Sequence, residues 1–274
     1  MSKKYFFFDI DGTLCMPGHA PSARTIQAIR SARAKGHHVF LSTGRNIPGI
    51  PAPVNAIGFD GHISNAGACA QVGEKILLDK PLPRYLLDRA LDTFRHFDSF
   101  YILQGSRGNY SDFRQQQRLI PLFPPQAADN LVGLQKLLQI EDIVRCQGAP
   151  IYKICFFTPD EARFRKFKPL LEGEFEFTLF DNLFPDLDAV SGEINRKGAD
   201  KGEALRAICH YFGQGPEDAI AFGDSTNDSA MLQAAGLGVA MGNAQAEVKA
   251  LADRICPSCE EDGVARQLEE LELI

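Results

Sequence analysis

The stretch Tyr5-Phe6-Phe7-Phe8-Asp9-Ile10-Asp11-Gly12-Thr13 decides how the rest of the chain is read. A short apolar run ending in an acid and then a glycine reads as a strand buried on both faces that runs into a loop, the habit of parallel sheets. Asp9 and Asp11 are two positions apart, so both would point to one side if the strand continued. Two such carboxylates repel unless a cation or a proton sits between them. Against this stands the plain reading of Asp-Gly as a common turn dipeptide.

Working outward, the pattern repeats. Ser22 opens a segment with Ile26, Ile29 and Ala32 on one face and Gly36 after it, an amphipathic helix with a serine cap and a glycine stop. Residues 38–42 form the next buried strand, closed by Thr43-Gly44, and 57–78 hold one more strand and a hairpin. After Pro81 and Pro83 the texture changes. Helices are expected at 84–98, 110–119, 130–141 and 159–171, with strands at 100–103, 151–157 and 175–180. From about 190 the first texture returns: helices at 201–212, 225–235 and 262–271, strands at 219–222 and 238–241. Strands alternating with helices imply a parallel sheet with right-handed crossovers, and ligands of such sheets bind at the carboxyl ends of the strands.

Chemistry-bearing residues cluster at those ends. Ser42-Thr43-Gly44-Arg45 offers a hydroxyl and free N–H groups to an anion, although a helix cap needs no more. Lys201 opens a helix, where the macrodipole favours anions, so a bound phosphate would remove the conflict; a solvated lysine is the plainer reading. Gly223-Asp224-Ser225-Thr226-Asn227-Asp228 puts two more acids and an amide at a strand-to-helix turn, more than a cap requires. Their joint occurrence outweighs four separate turns. Close carboxylates suit Mg²⁺, a hard cation that keeps waters for substrate phosphate. An aspartate can attack a phosphoryl group to give an aspartyl-phosphate, and a metal and a lysine supply the charge neutralisation such transfer needs.

Composition narrows the field. The chain has 274 residues, 45% hydrophobic and 23% charged, ordinary globular proportions that suit one large or two ordinary domains. Its 29 basic and 35 acidic residues leave a net charge of −6, a poor basis for nucleic-acid or membrane-surface binding. No apolar run approaches the roughly 18 residues of a membrane span, and Asp9 arrives too early for a signal peptide. Seven scattered cysteines argue against a disulfide framework and for the cytoplasm. Cys256 and Cys259 form a lone CxxC, read as two thiols near a turn rather than half of a zinc site. There is no Gly-Lys for a Walker loop, no GxSxG and no HExxH.

DIDGT at 9–13, STGR at 42–45, the lysine of DKG at 201 and GDSTND at 223–228 resemble, in order, the four motifs of the haloacid-dehalogenase-like (HAD) superfamily. The length, the insertion between the second and third motifs, and MGNA at 241–244 look like its Cof-type branch. The resemblance implies a Rossmann-like α/β parallel-sheet core at 1–82 and 190–274, with an α/β cap at 83–189 that covers the site and decides the substrate. It implies Asp9 as nucleophile and Mg²⁺ ligand, and Asp11 as general acid and then base, its main-chain carbonyl also reaching Mg²⁺. Thr43, Gly44, Lys201 and Asn227 would hold the phosphate, Asp224 would complete the metal ligands, and Asp228 would support them. An acid at position 11 argues for a phosphomonoesterase rather than a dehalogenase or a P-type ATPase.

One departure stands out: the branch often has Asn-Gly-Ala after its third strand, and here Asn65-Ala66-Gly67 occurs, so Asn65 receives no role. The expected function is Mg²⁺-dependent hydrolysis of a small phosphorylated metabolite, a sugar or cofactor phosphate. A phosphomutase or phosphotransferase on the same core, and a non-catalytic phosphate binder, remain as alternatives. Arg107, Tyr110, Arg114 and Lys153 are candidates to touch a leaving group, set against the reading of solvated surface. The sequence is silent on oligomeric state.

Overall fold

The computed structural model describes residues 3–123, 138–180 and 188–274. It divides into two compact units: 1–45, 50–80 and 198–274 make the first, and 46–49 with 81–197 make the second.

The chain begins in the first unit with β1 (Tyr5–Phe8), β2 (His38–Ser42), β3 (Gly61–Ser64), β4 (Cys69–Val72) and β5 (Lys75–Asp79). It then builds the second with β6 (Phe100–Gly105), β7 (Asn109–Ser111), β8 (Glu141–Asp142), β9 (Ile151–Thr158), β10 (Phe175–Leu179) and β11 (Val190–Arg196). It returns through β12 (Ala219–Gly223), β13 (Leu237–Ala240) and β14 (Arg254–Ile255).

The first sheet runs β14-β13-β12-β1-β2-β3-β4-β5, parallel from β14 to β3 and antiparallel through β4 and β5. β1 shows why its sequence has no polar alternation. Phe6 and Phe8 pack into one apolar layer with the helices Ala23–Ala34 and Gly263–Glu270. Tyr5 and Phe7 pack into the opposite layer with Lys201–Tyr211 and Ser229–Ala234. Both faces of the strand are core, so both residue sets are apolar. Ser22 caps the first helix by accepting from the Thr25 N–H at 3.0 Å, and Asp200 caps Lys201–Tyr211 by accepting from Glu203 N–H at 2.8 Å.

The second sheet runs β10-β11-β9-β6-β7-β8, antiparallel except between β7 and β8. Its helices Arg84–His96 and Glu161–Leu171 cover one face, where Phe94, Phe156 and Phe167 stack and cross.

Several boundaries differ from the sequence reading. The first unit resumes at Gly198 rather than near 190, because β11 hydrogen-bonds between β10 and β9. The helix expected at 110–119 begins at Phe113, since Asn109–Ser111 pairs with β6 and Asp112 caps the turn that follows. The helix expected at 130–141 lies mostly outside the described residues, and its last position, Glu141, falls in β8. The helix expected at 225–235 starts as a single tight turn at Thr226–Asp228 before Ser229–Ala234. Among the described residues no helix is long and apolar enough to cross a membrane.

Candidate active site

Every residue expected to hold the metal or the phosphate lies in the first unit, at the carboxyl ends of β1, β2 and β12 and at the start of Lys201–Tyr211. Asp9 directly follows β1, and its N–H donates to the Phe222 carbonyl at 3.1 Å, fastening it to β12. Lys201, fully buried, donates from Nζ to Asp9 Oδ1 at 2.7 Å, to Asp228 Oδ1 at 2.6 Å and to Asn227 Oδ1 at 3.3 Å. The other Asp228 oxygen accepts from the N–H groups of Asp224 (3.0 Å) and Ser225 (3.1 Å). Asp228 therefore ties the lysine to the turn that carries Asp224.

Ligand oxygens of Asp9, Asp224 and Asp228 all lie within 4.8 Å of one another. Three carboxylates face one ammonium, which leaves excess negative charge in a desolvated place. Burial drives the Asp9 carboxyl well above the usual carboxylate range; Lys201 pulls it back, and Asp228 and Asp224 push it further up. Burial, then Asp228, raises Asp224 to about 7. Burial opposes the charge on Lys201, yet Asp228 and Asp9 outweigh it and raise its pKa. An all-oxygen, overcharged, buried set fits a hard divalent cation, which would offset the repulsion that adds to burial in raising both acids.

Asp11 stands outside that carboxylate group. Its two oxygens accept from Arg45, Nε to Oδ2 and Nη2 to Oδ1, each at 2.7 Å. Thr43 is buried at the end of β2, and its Oγ1 accepts from the Arg45 N–H at 3.1 Å. Gly44 lies half-buried between them.

The profile of the haloacid dehalogenase-like hydrolases matches residues 6–268. The chain belongs to that family.

Relatives of this HAD-like hydrolase include the phosphatase YwpJ of Bacillus subtilis, 28% identical over 98% of this chain and 99% of the relative. Another is the HMP-PP phosphatase of Serratia proteamaculans, 26% identical over 96% of this chain and 93% of the relative. A solved structure of the HAD phosphatase BT1666 from Bacteroides thetaiotaomicron superposes with a TM-score of 0.81 at 25% identity, covering 99% of this chain and 96% of the other.

The loops of this HAD-like hydrolase explain residues that the sequence left without roles. Arg45, quoted in STGR without a task, orients Asp11; an arginine two places after a hydroxyl at a strand end was the available signal. Thr13 Oγ1 lies 3.3 Å from Asp224 Oδ1. Gly12 has φ +86°, and a Cβ there would sit 2.2 Å from Asp224 Oδ2. Its carbonyl accepts from Asn243 Nδ2 at 2.8 Å, and Asn243 Oδ1 accepts from the Cys259 N–H at 3.0 Å, so MGNA braces the loop that follows β1. Cys256 and Cys259 are both buried thiols in this brace, with Cys256 Sγ 3.4 Å from Met241 Sδ.

The Asn65-Ala66-Gly67 departure is resolved too. Asn65, Ala66 and Gly67 all take positive φ, at 52°, 55° and 104°. The Asn65 N–H donates to the Arg45 carbonyl at 2.8 Å, and the Ala66 N–H to that of Thr43 at 3.1 Å. Gly67 is obligatory here because a Cβ would lie 2.1 Å from the Asp200 carbonyl carbon, next to Lys201. Of the four candidates for leaving-group contact, Tyr110 is packed in the apolar layer of the second unit, Arg107 and Arg114 are exposed, and Lys153 is buried in an ion pair.

Proposed function

We propose that this HAD-like hydrolase is a Mg²⁺-dependent phosphatase that hydrolyses a small phosphomonoester, a sugar phosphate or a cofactor phosphate, through an aspartyl-phosphate on Asp9. The observation that carries the reading is the contact of Asp9 with a fully buried Lys201 inside a three-carboxylate cluster.

Asp9, Asp224 and the main-chain carbonyl of Asp11 would hold the cation, with Asp228 supporting them. When bound, the cation neutralises phosphoryl charge as the reaction proceeds. Asp9 attacks phosphorus while the ester oxygen leaves with a proton from Asp11; Asp11 then takes a proton from the water that attacks the aspartyl-phosphate, releasing inorganic phosphate and restoring Asp9. The Thr43 hydroxyl, the Gly44 N–H, Lys201 and Asn227 bind the transferring oxygens, where fixed donors do most of the work of phosphoryl transfer. None of the seven cysteines is in a disulfide, which fits a reducing cytoplasm.

The test is phosphate release from p-nitrophenyl phosphate and a panel of sugar and cofactor phosphates, with Mg²⁺ and with EDTA. Release that requires Mg²⁺ and stops with EDTA supports the reading. No release from any compound by folded, Mg²⁺-loaded protein overturns it.

A further inference from the structure

One face of the second unit's sheet changes character along its strands. At one end Phe100, Ile102, Cys155 and Phe157 pack with Leu119 and Phe123 in an apolar layer. At the other end, directly opposed cross-strand neighbours form a polar row: Asn109 beside Gln104, Gln104 beside Lys153, Lys153 beside Asn195. Opposed residues share a face of an antiparallel sheet, so these four side chains stand together. Glu193, two places along β11 from Asn195 and opposite Cys155, adds a carboxylate to the same face. All five residues are more than nine-tenths buried.

The polar bonds inside the row do not close. Lys153 Nζ meets Glu193 Oε2 at 2.6 Å, and Asn195 Nδ2 donates to Glu193 Oε1 at 3.4 Å. Asn109 Oδ1 accepts from Asn46 Nδ2 at 3.1 Å, and Asn109 Nδ2 donates to the Leu138 carbonyl at 2.8 Å. Gln104 Oε1 and Asn195 Oδ1, on either side of Lys153, have no partner among the described residues. A buried acceptor without a donor costs on the order of 1–3 kcal/mol, and a buried ion pair is seldom better for stability than well-packed apolar side chains. The other end of this face is packed with just such side chains. Stability alone therefore gives no reason for the polar end.

We infer that the polar end of this face is a ligand site of the second unit, built for an organic group rich in hydrogen-bond donors and carrying no second negative charge. The two orphaned atoms are acceptors, so they take hydroxyl or amino hydrogens and repel carboxylate or phosphate oxygens. Glu193 already answers the charge of Lys153, which leaves no uncompensated cation here to recruit an anion. The organic part of the phosphatase's own substrate and a separate small molecule share this chemistry. Calling the ligand substrate rests on the phosphatase reading; the existence of the site does not.

The experiment follows the side-chain NH₂ signals of Gln104 and Asn195 by NMR in the full-length protein, assigned through Gln104→Leu and Asn195→Leu. The probes are glucitol, glucosamine and glucarate, three six-carbon compounds that are neutral, cationic and dianionic. Shifts with glucitol or glucosamine and not with glucarate are expected. No shift with either donor-rich probe, or a preference for glucarate, overturns the proposal. Kinetics then separate the two sources. If the ligand is the substrate's organic part, each leucine variant lowers kcat/KM for glucitol 6-phosphate about tenfold, equivalent to the loss of about 1.4 kcal/mol, and changes that for p-nitrophenyl phosphate less than about twofold. Unchanged kinetics with both esters, alongside the wild-type shifts, identifies a separate ligand. If no ester is hydrolysed at all, the phosphatase reading fails while the NMR result still decides this one.

Discussion

Arg45 holds Asp11 through two parallel N–H···O bonds of 2.7 Å each, so the carboxylate has a fixed direction before any ligand arrives. Bidentate arginine–carboxylate pairs combine charge with geometry, and lysine cannot reproduce the fork. If Asp11 moves the protons, its orientation controls the rate. Arg45→Lys is expected to lower kcat about tenfold to hundredfold, the range set by losing a charged hydrogen bond of about 1.5–3 kcal/mol. Steady-state phosphate release checks this, and an unchanged kcat would detach Arg45 from the chemistry.

Asp9→Asn keeps the size of the side chain and removes the carboxylate proposed to attack phosphorus. Turnover is expected to fall by at least about 10⁴-fold, the scale on which enzymes lose activity when a covalent nucleophile is removed. Phosphate release per active site, measured over hours, is the readout. A variant as fast as wild type would show that another group attacks.

Lys201 is the sole base answering Asp9 and Asp228 in the bonds described. Lys201→Met leaves both carboxylates buried without it. Breaking a buried pair in this way typically costs about 3–5 kcal/mol. The urea midpoint should drop accordingly, and activity should vanish. A variant of wild-type stability would show that these ion pairs contribute nothing net to folding.

Mg²⁺ is expected to raise the unfolding temperature, because it relieves the repulsion among Asp9, Asp224 and Asp228. At a hundred times its dissociation constant, a ligand of the folded state adds about 2.7 kcal/mol. The gain should disappear in Asp224→Asn and with EDTA. An equal rise in wild type and variant would place the binding elsewhere.

Ala66 occupies a left-handed conformation, φ 55°, that costs an L-residue roughly 1–2 kcal/mol. Glycine there escapes that strain but loses about 0.5–1 kcal/mol of chain entropy. Ala66→Gly should therefore be neutral or stabilise by up to about 1.5 kcal/mol, without loss of activity. Chemical denaturation of both forms decides it, and a clear loss of stability would show that the Ala66 methyl packs usefully.

What could be read from the sequence was whatever left a one-dimensional trace. β1 was legible because both of its faces are core, so its apolar run has no gaps. The site turns were legible because acids, a hydroxyl and a lysine interrupt such runs at their ends. β11 was not: in Val-Ser-Gly-Glu-Ile-Asn-Arg the alternate residues Ser191, Glu193 and Asn195 are polar yet buried, and polar residues ordinarily signal solvent. The clamp of Arg45 on Asp11 spans 34 positions, and no local pattern encodes a pairing at that range.

The order of the strands has a consequence for synthesis. β1 lies between β2, which follows soon after it, and β12, which begins only at Ala219. At a translation rate of about 5–20 residues per second, the nascent chain carries Tyr5–Phe8 with one edge unpaired for roughly 10–40 s. An unpaired apolar edge is a template for pairing with the wrong chain. Asp9 likewise waits 192 positions for Lys201. The polypeptide therefore leaves the ribosome with the apolar β1 made long before β12 completes its pairing, and with Asp9 made long before the Lys201 that answers its charge.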